Sequence, residues 1–141
     1  MTTVAAGIFV EGKKVLIARR AEGQTLSGFW EFPGGKQEAG ESILRSLERE
    51  IREEFGVACS ARRVICETTY EYAQGAIRLV GVEAELVERD ITISVHDEYR
   101  WIEIADLGAY RLAPADLALA EAVRKEYLKA SSPELLQQEA P

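Results

Sequence analysis

The order of apolar and polar residues predicts most of the strands of this chain. Runs rich in β-branched and aromatic residues, separated by short polar turns, are typical of strands. Turns are predicted at Glu11-Gly12-Lys13 and at Ala73-Gln74-Gly75, and a polar loop is predicted over 21–27. Strands are predicted over 3–10, 14–18, 62–72, 76–88, 91–95 and 101–104.

Two stretches have the period of a helix instead. In the first, apolar residues recur every three or four positions at Leu44, Leu47, Ile51 and Phe55. Ser42 is placed as its N-cap and Gly56 as its C′ residue. A short helical turn is predicted at 104–107, and a second helix is predicted from Pro114 or Ala115 to about Lys129. Residues 131–141 have few apolar positions left to pack, which predicts a disordered tail.

Length and composition indicate one globular domain, over 1–130. The chain has 141 residues, of which 47% are hydrophobic and 29% charged, and its net charge is −7. An acidic chain is a poor partner for a nucleic acid polymer or an anionic membrane, although a bound divalent cation can still admit a small polyanion. Neither a signal peptide nor a membrane span is expected, so we expect a cytoplasmic protein. The two cysteines form no disulfide or zinc pattern.

Three glutamates of the first helix could carry chemistry. Glu50, Glu53 and Glu54 stand at i, i+3 and i+4, so they are neighbours on the helix surface and repel one another. A cation between them would remove that repulsion, and ligands that are all oxygen favour Mg²⁺ or Mn²⁺ over zinc. An exposed helix that is rich in Glu and Arg explains the same pattern equally well.

The residues around these glutamates resemble the signature of the Nudix hydrolases, Gly-x5-Glu-x7-Arg-Glu-aliphatic-x-Glu-Glu-x-Gly-aliphatic. If each of its seven fixed identities occurs at about one residue in fifteen, a chance match at a given start is on the order of one in a hundred million. The resemblance therefore removes the exposed-helix alternative. The matching residues are Gly35, Glu41, Arg49, Glu50, Ile51, Glu53, Glu54, Gly56 and Val57.

The resemblance implies an α/β (α+β) fold, an α/β/α sandwich with a mixed β-sheet between helices. It implies a pyrophosphohydrolase in which Glu50, Glu53 and Glu54, with the backbone of Gly35, bind Mg²⁺ or Mn²⁺. It also implies that Glu41 assists and that Arg49 holds a carboxylate in place. Either Glu50 or Glu53 would act as general base.

Motifs outside the signature are similar to the branch that contains MutT and the CTP pyrophosphohydrolases. They are Arg19-Arg20-Ala21, residues 30–36 and residues 112–116. That branch implies hydrolysis of (deoxy)nucleoside triphosphates, oxidised ones such as 8-oxo-dGTP included, to monophosphate and pyrophosphate. Asp116 would read the base edge, and Arg20 and Lys36 would contact phosphate. The expected substrate-binding residues are Arg20, Phe32, Gly34, Lys36 and Asp116.

One position departs from that branch, which commonly has an acidic metal ligand six residues before the tryptophan matched by Trp101. Val95 stands there, so Asp97 or Glu98 is expected to replace the ligand, or the signature carboxylates suffice. His96, the only histidine, is expected to be structural. The alternatives to a triphosphate substrate are a dinucleotide or nucleotide sugar such as ADP-ribose, and a binding module without catalysis. The partner is expected to be a small nucleotide, and the protein a monomer or homodimer.

Overall fold

The fold, taken from a computed structural model that describes residues 1–128, contains seven strands, two α-helices and one 3-10 helix. The predicted tail, and Lys129 at the predicted end of the second helix, lie outside these residues. No helix within residues 1–128 is long and apolar enough to cross a bilayer. The elements in chain order are β1 Thr2–Glu11, β2 Lys14–Arg20, β3 Trp30–Glu31, β4 Gly34–Lys36, α1 Ile43–Phe55, β5 Cys59–Tyr72, β6 Gly75–Leu86, β7 His96–Glu103, the 3-10 helix Ile104–Ala109 and α2 Asp116–Leu128.

The strands form one mixed sheet in the order β3-β2-β1-β6-β5. β1 runs parallel to β6 and antiparallel to both β2 and β4. β7 lies antiparallel to β2, with a register shift between Arg19 and Arg20. The short strand β4 sits beside the first half of β1, which brings the glycine-rich segment against the centre of the sheet.

Side chains of β1 alternate between the two faces of the sheet, and each face is covered by one helix. Ala5 and Phe9 belong to the core under α1, and Ala6 and Ile8 to the core under α2. This alternation follows from the two-residue period of a strand. The predicted α/β/α sandwich with a mixed sheet is confirmed.

Several predicted boundaries need correction. Residues 91–95 form no strand, and the last strand begins at His96 and not at Trp101. β5 begins at Cys59, earlier than the predicted residue 62, because its pairing with β6 continues past two register shifts. The short strands β3 and β4 were not predicted, since two or three residues carry no period of their own. Both exist through pairing with β2 and β1.

Candidate active site

Helix α1 has the ends that the sequence predicts. The Ser42 hydroxyl accepts a hydrogen bond from the backbone N–H of Arg45 at 3.2 Å, and Gly56 ends the helix in the left-handed conformation with φ 68°. Leu47, Ile51 and Phe55 are buried against the sheet. Because these apolar residues face the sheet, Glu50 and Glu54 lie at the edge of the helix that meets the cavity described below.

The glycines of β4 allow the helix to approach the sheet. A Cβ atom on Gly35 would overlap the Glu50 carboxyl group, and one on Gly34 would overlap the backbone carbonyl of Ala5. Gly34 is therefore needed for the pairing of β4 with β1, whereas Gly35 leaves space for a carboxylate. Close packing therefore explains glycine at both positions, independently of any ligand.

Glu50 and Glu54 stand one turn apart on α1 and both line the cavity, where the charge of Glu50 acts on Glu54. Burial raises the pKa of Glu50, although its hydrogen bond from Arg49 acts in the other direction. Burial, together with the charges of Glu50 and Glu31, raises the pKa of Glu54 to about 7. Two carboxyl groups that are costly to ionise together have the donor chemistry of a divalent cation site.

Arg49 organises the carboxylates of the signature. Its Nε and Nη2 donate to the two oxygens of Glu41 at 2.6 and 3.0 Å, and Nη2 also reaches the Lys36 carbonyl at 2.9 Å. Its Nη1 lies 3.1 Å from both Glu50 and Glu53. Glu41 also accepts from the backbone N–H of Glu38 at 2.9 Å. Because Arg49 joins the loop before α1 to the helix itself, it fixes the orientation of Glu50.

The other predicted carboxylate ligands, Glu53, Asp97 and Glu98, do not line the cavity with the Glu50–Glu54 pair. The Glu53 side chain is 56% exposed and pairs with Arg49 outside the lining of the cavity. Asp97 and Glu98 both pair with Arg19, at 2.8 and 3.3 Å. Within residues 1–128, no three Asp, Glu, His or Cys side chains are already grouped to hold a metal ion. The pair alone still suits Mg²⁺, which usually takes one or two protein carboxylates and completes its shell with water and substrate phosphate.

A cavity of about 620 Å³ extends from the glutamate pair to Asp116 at the start of α2. This volume is in the range of small-molecule sites. Asp116 is 6% exposed, and its Oδ2 accepts from the Phe32 N–H at 3.0 Å. Burial, and to a lesser extent the charge of Glu31, raises the pKa of Asp116 to about 8. The raised pKa favours the protonated carboxyl group, which can both donate and accept a hydrogen bond.

The predicted substrate contacts all meet in this cavity. Its lining includes Arg20, Phe32, Gly34, Lys36 and Asp116. Sequence reasoning gave no role to Glu31, which also lines the cavity and binds Arg20 Nη1 at 3.0 Å and His96 Nε2 at 2.8 Å. The sequence feature that could have indicated a role for Glu31 is that this acidic residue stands between two aromatic residues, Trp30 and Phe32. Tyr72 also lines the cavity, and its hydroxyl accepts from the Ala115 N–H at 3.1 Å.

Models of known protein families identify the family to which this chain belongs. The family model described as the NUDIX domain matches residues 4–122. The chain belongs to the Nudix hydrolases. The signature glutamates, Arg49 and the residues that line the cavity all fall within the matched residues.

Similar proteins place this Nudix hydrolase in the MutT-like branch. It is 32% identical over 122 residues to a protein of Escherichia coli named CTP pyrophosphohydrolase, covering 86% of this chain and 90% of that one. It is 33% identical over 114 residues to a putative 8-oxo-dGTP diphosphatase 2 of Mycobacterium tuberculosis, covering 80% and 81%.

Solved structures agree with the fold. The solution structure of the Escherichia coli ORF135 protein has a TM-score of 0.75 at 31% identity, covering 87% of this chain and 88% of that one. The crystal structure of a MutT protein from Methanosarcina mazei has a TM-score of 0.80 at 24% identity, covering 89% and 94%. The second likeness is one of fold alone.

Proposed function

We propose that this Nudix hydrolase converts (deoxy)nucleoside triphosphates, including oxidised ones, to nucleoside monophosphate and pyrophosphate. The observation that carries the proposal is that one cavity joins the Glu50–Glu54 pair to the buried Asp116. The glutamate end suits a phosphate chain with its cation, and the Asp116 end suits the hydrogen-bonding edge of a base. The names of the two similar proteins, a CTP pyrophosphohydrolase and a putative 8-oxo-dGTP diphosphatase, support this substrate class.

Nudix hydrolases generally use Mg²⁺, and we propose Mg²⁺, or Mn²⁺ in its place, as the cofactor here. Glu50 and Glu54 would hold the ion, with Glu53 and the Gly35 backbone as further ligands. When bound, the ion would screen the phosphate charges and lower the pKa of a bound water. Asp97 or Glu98 would have to leave Arg19 to join this shell.

Each remaining residue of the site has a role that follows from its contacts. Glu50 or Glu53 accepts the proton of the attacking water while the bridging P–O bond breaks and the pyrophosphate leaves. Arg49 holds Glu50, and Glu41 holds Arg49. Lys36 stands in the cavity wall as a cation for the phosphates.

The base end recognises the nucleoside through a small number of polar groups. The Phe32 N–H fixes Oδ2 of Asp116. The second oxygen of Asp116 is then available to a base edge, as hydroxyl donor or as acceptor. Gly34 contributes backbone to the wall of the same cavity.

A second candidate, hydrolysis of a dinucleotide or nucleotide sugar such as ADP-ribose, is favoured by one further observation. A groove of about 520 Å³ continues from the cavity along Leu26, Tyr72 and Ile77 to Gln74. It has space for a group attached beyond the nucleotide.

A substrate panel with Mg²⁺ tests the proposal against its alternatives. Pyrophosphate and phosphate release should be measured for CTP, dCTP, dGTP and 8-oxo-dGTP, and AMP formation should be measured for ADP-ribose. We expect pyrophosphate from at least one triphosphate and a lower kcat/KM for ADP-ribose. The reverse preference would support the second candidate, and tight nucleotide binding without turnover would indicate a binding module.

A further inference from the structure

Arg20 is bound on every nitrogen of its guanidinium group. Its Nε donates to the Thr25 carbonyl at 2.6 Å and its Nη1 to Oε2 of Glu31 at 3.0 Å. Its Nη2 makes longer contacts with Gln24 Oε1 at 3.5 Å and Thr25 Oγ1 at 3.4 Å. Three of these four contacts go to the loop that follows β2, so in this structure Arg20 is committed to that loop.

Glu31 is held from the other side by His96. The Nε2 atom of His96 lies 2.8 Å from Oε2 of Glu31, the same oxygen that accepts from Arg20. A carboxylate oxygen only accepts, so Nε2 of His96 carries the donated hydrogen. The His96 side chain is fully enclosed and stacks on Phe55 with ring centroids 5.2 Å apart.

The sheet brings these three side chains together. Arg20 and His96 are cross-strand partners in the pairing of β2 with β7. Glu31 lies in β3, which pairs with β2 at Ala18 and Arg19. His96 is therefore anchored in the core, Glu31 is fixed by His96, and Arg20 is fixed by Glu31.

The backbone of Arg20 also closes the loop over 21–28. It is closed by backbone bonds between Arg20 and its far end, Gly28 N–H to Arg20 O and Arg20 N–H to Phe29 O, both 2.9 Å. Leu26 adopts φ 56°, an unfavourable value for a residue with a side chain, and is 37% exposed. Strain of this kind persists only where neighbouring contacts impose it, and the side-chain contacts of Arg20 converge on Thr25, next to Leu26.

Thr25 and Leu26 form part of the wall of both the nucleotide cavity and the adjoining groove. We propose that Glu31 and His96 are positioning residues that hold Arg20, and that Arg20 in turn holds Thr25 and Leu26 as a wall of the nucleotide cavity. The use of that wall for nucleotides rests on the proposed function.

Two pairs of variants test the proposal. The His96→Leu variant lacks the hydrogen-bond donor to Glu31. The His96→Gln variant places an amide nitrogen near the position of Nε2 and keeps a donor there. Glu31→Ala and Arg20→Met interrupt the same chain of contacts at its other members. Arg78→Met is the control, because Arg78 is also held by a carboxylate, Glu67, and neither residue lines the cavity.

Hydrogen exchange of the free protein is the first readout, at the amides of Gln24, Gly28 and Phe29. We expect His96→Leu, Glu31→Ala and Arg20→Met to speed exchange by about tenfold or more, since local opening becomes easier. His96→Gln should restore slow exchange, and Arg78→Met should leave it unchanged. If His96→Leu does not fold, the other two variants decide the outcome. Unchanged exchange in both would overturn the proposal.

Steady-state kinetics are the second readout. If Thr25 and Leu26 are displaced, KM should rise by about tenfold while kcat changes by less than about threefold. The His96→Gln variant should have a KM close to that of the wild type. A fall in kcat at unchanged KM in Glu31→Ala would instead place Glu31 at the reacting phosphate and overturn the positioning role. A wild-type protein that hydrolyses no nucleotide would contradict the proposed function, while hydrogen exchange would still decide whether this chain of contacts holds the loop.

Discussion

Asp116 is the most deeply buried carboxyl group among the cavity residues, and its burial affects folding as well as recognition. Burial raises its pKa from an ordinary value of 3.8 to about 8 in the folded protein. The folded state therefore binds a proton that the unfolded state has released between pH 4 and 8. By linkage, stability is greatest below the unfolded pKa and falls as the pH rises through the folded pKa.

We predict that Asp116→Asn removes this pH dependence. An amide keeps an acceptor for the Phe32 N–H but does not ionise. Between pH 4 and 8, the free energy of unfolding of the wild type should fall by at least about 1 kcal/mol more than that of the variant, an amount equal to roughly one pKa unit. Urea unfolding at several pH values measures this difference. Parallel curves for the two proteins would contradict a raised pKa at Asp116.

The glutamate pair leads to a prediction about activity. Glu54→Gln keeps the size of the side chain but removes the charge that a divalent cation requires. We expect kcat/KM with Mg²⁺ to fall by about a hundredfold or more, as is typical for loss of a group that acts on the transition state. Glu121→Gln on α2, which removes a charge from an exposed Arg124 pair, is the matched control and should remain active. Equal activity of the two variants would exclude Glu54 from the metal site.

At the scale of elements, β4 and α1 form the site together. β4 is only three residues long and is held by its pairing with β1 at Val4, Ala5 and Ala6. α1 lies against it through the close approach of Glu50 to Gly35. The predicted helix is correct because its period and both caps are local features. The strand that was predicted at 91–95 is the opposite case. Its residues alternate between apolar and polar, but they pair with no strand of the sheet.

Alanine at the two adjacent glycines of β4 should give different defects. Gly34→Ala forces a Cβ into the Ala5 backbone, which cannot yield, so we expect loss of several kcal/mol of stability, on the order of an overpacked core. Gly35→Ala meets only the end of the Glu50 side chain, which can rotate away. We expect that variant to fold but to lose activity by about tenfold or more, because Glu50 is displaced. Thermal melts and kinetics of both variants distinguish the two effects, and an active Gly35→Ala variant would contradict the assigned position of Glu50.

At the scale of the whole molecule, the functional groups of this acidic chain come from both faces of the sheet and meet in one cavity. α1 supplies the carboxyl pair from one face of the sheet, and α2 begins at Asp116 on the other. The cavity connects both, with Arg20 and Lys36 among its lining residues. With a net charge of −7, the proposed binding of a triphosphate would depend on these local cations and on a bound metal ion.

We predict that Mg²⁺ stabilises the folded protein and does so more at pH 8 than at pH 6. A metal ion binds the ionised carboxylate, and the pKa of Glu54 is raised to about 7 by burial and by the neighbouring charges of Glu50 and Glu31, opposed by Arg20. Protons therefore compete at pH 6. The melting temperature with MgCl₂ against EDTA measures the effect, which follows mass action. Glu54→Gln should abolish the increase between the two pH values, and a shift that is independent of pH would contradict competition at Glu54.

The sequence by itself determined α1 with its caps, the strand pairs around short turns, and the spacing of the Nudix signature. These features depend on neighbours within a few residues, which is why period and spacing are sufficient to predict them. Only the tertiary structure decided that Glu50 and Glu54 face the cavity while Glu53 lies outside its lining, because this depends on how α1 packs on the sheet and on the close approach of Glu50 to Gly35. The same holds for the link from His96 through Glu31 to Arg20, which joins three strands whose register comes from long-range pairing.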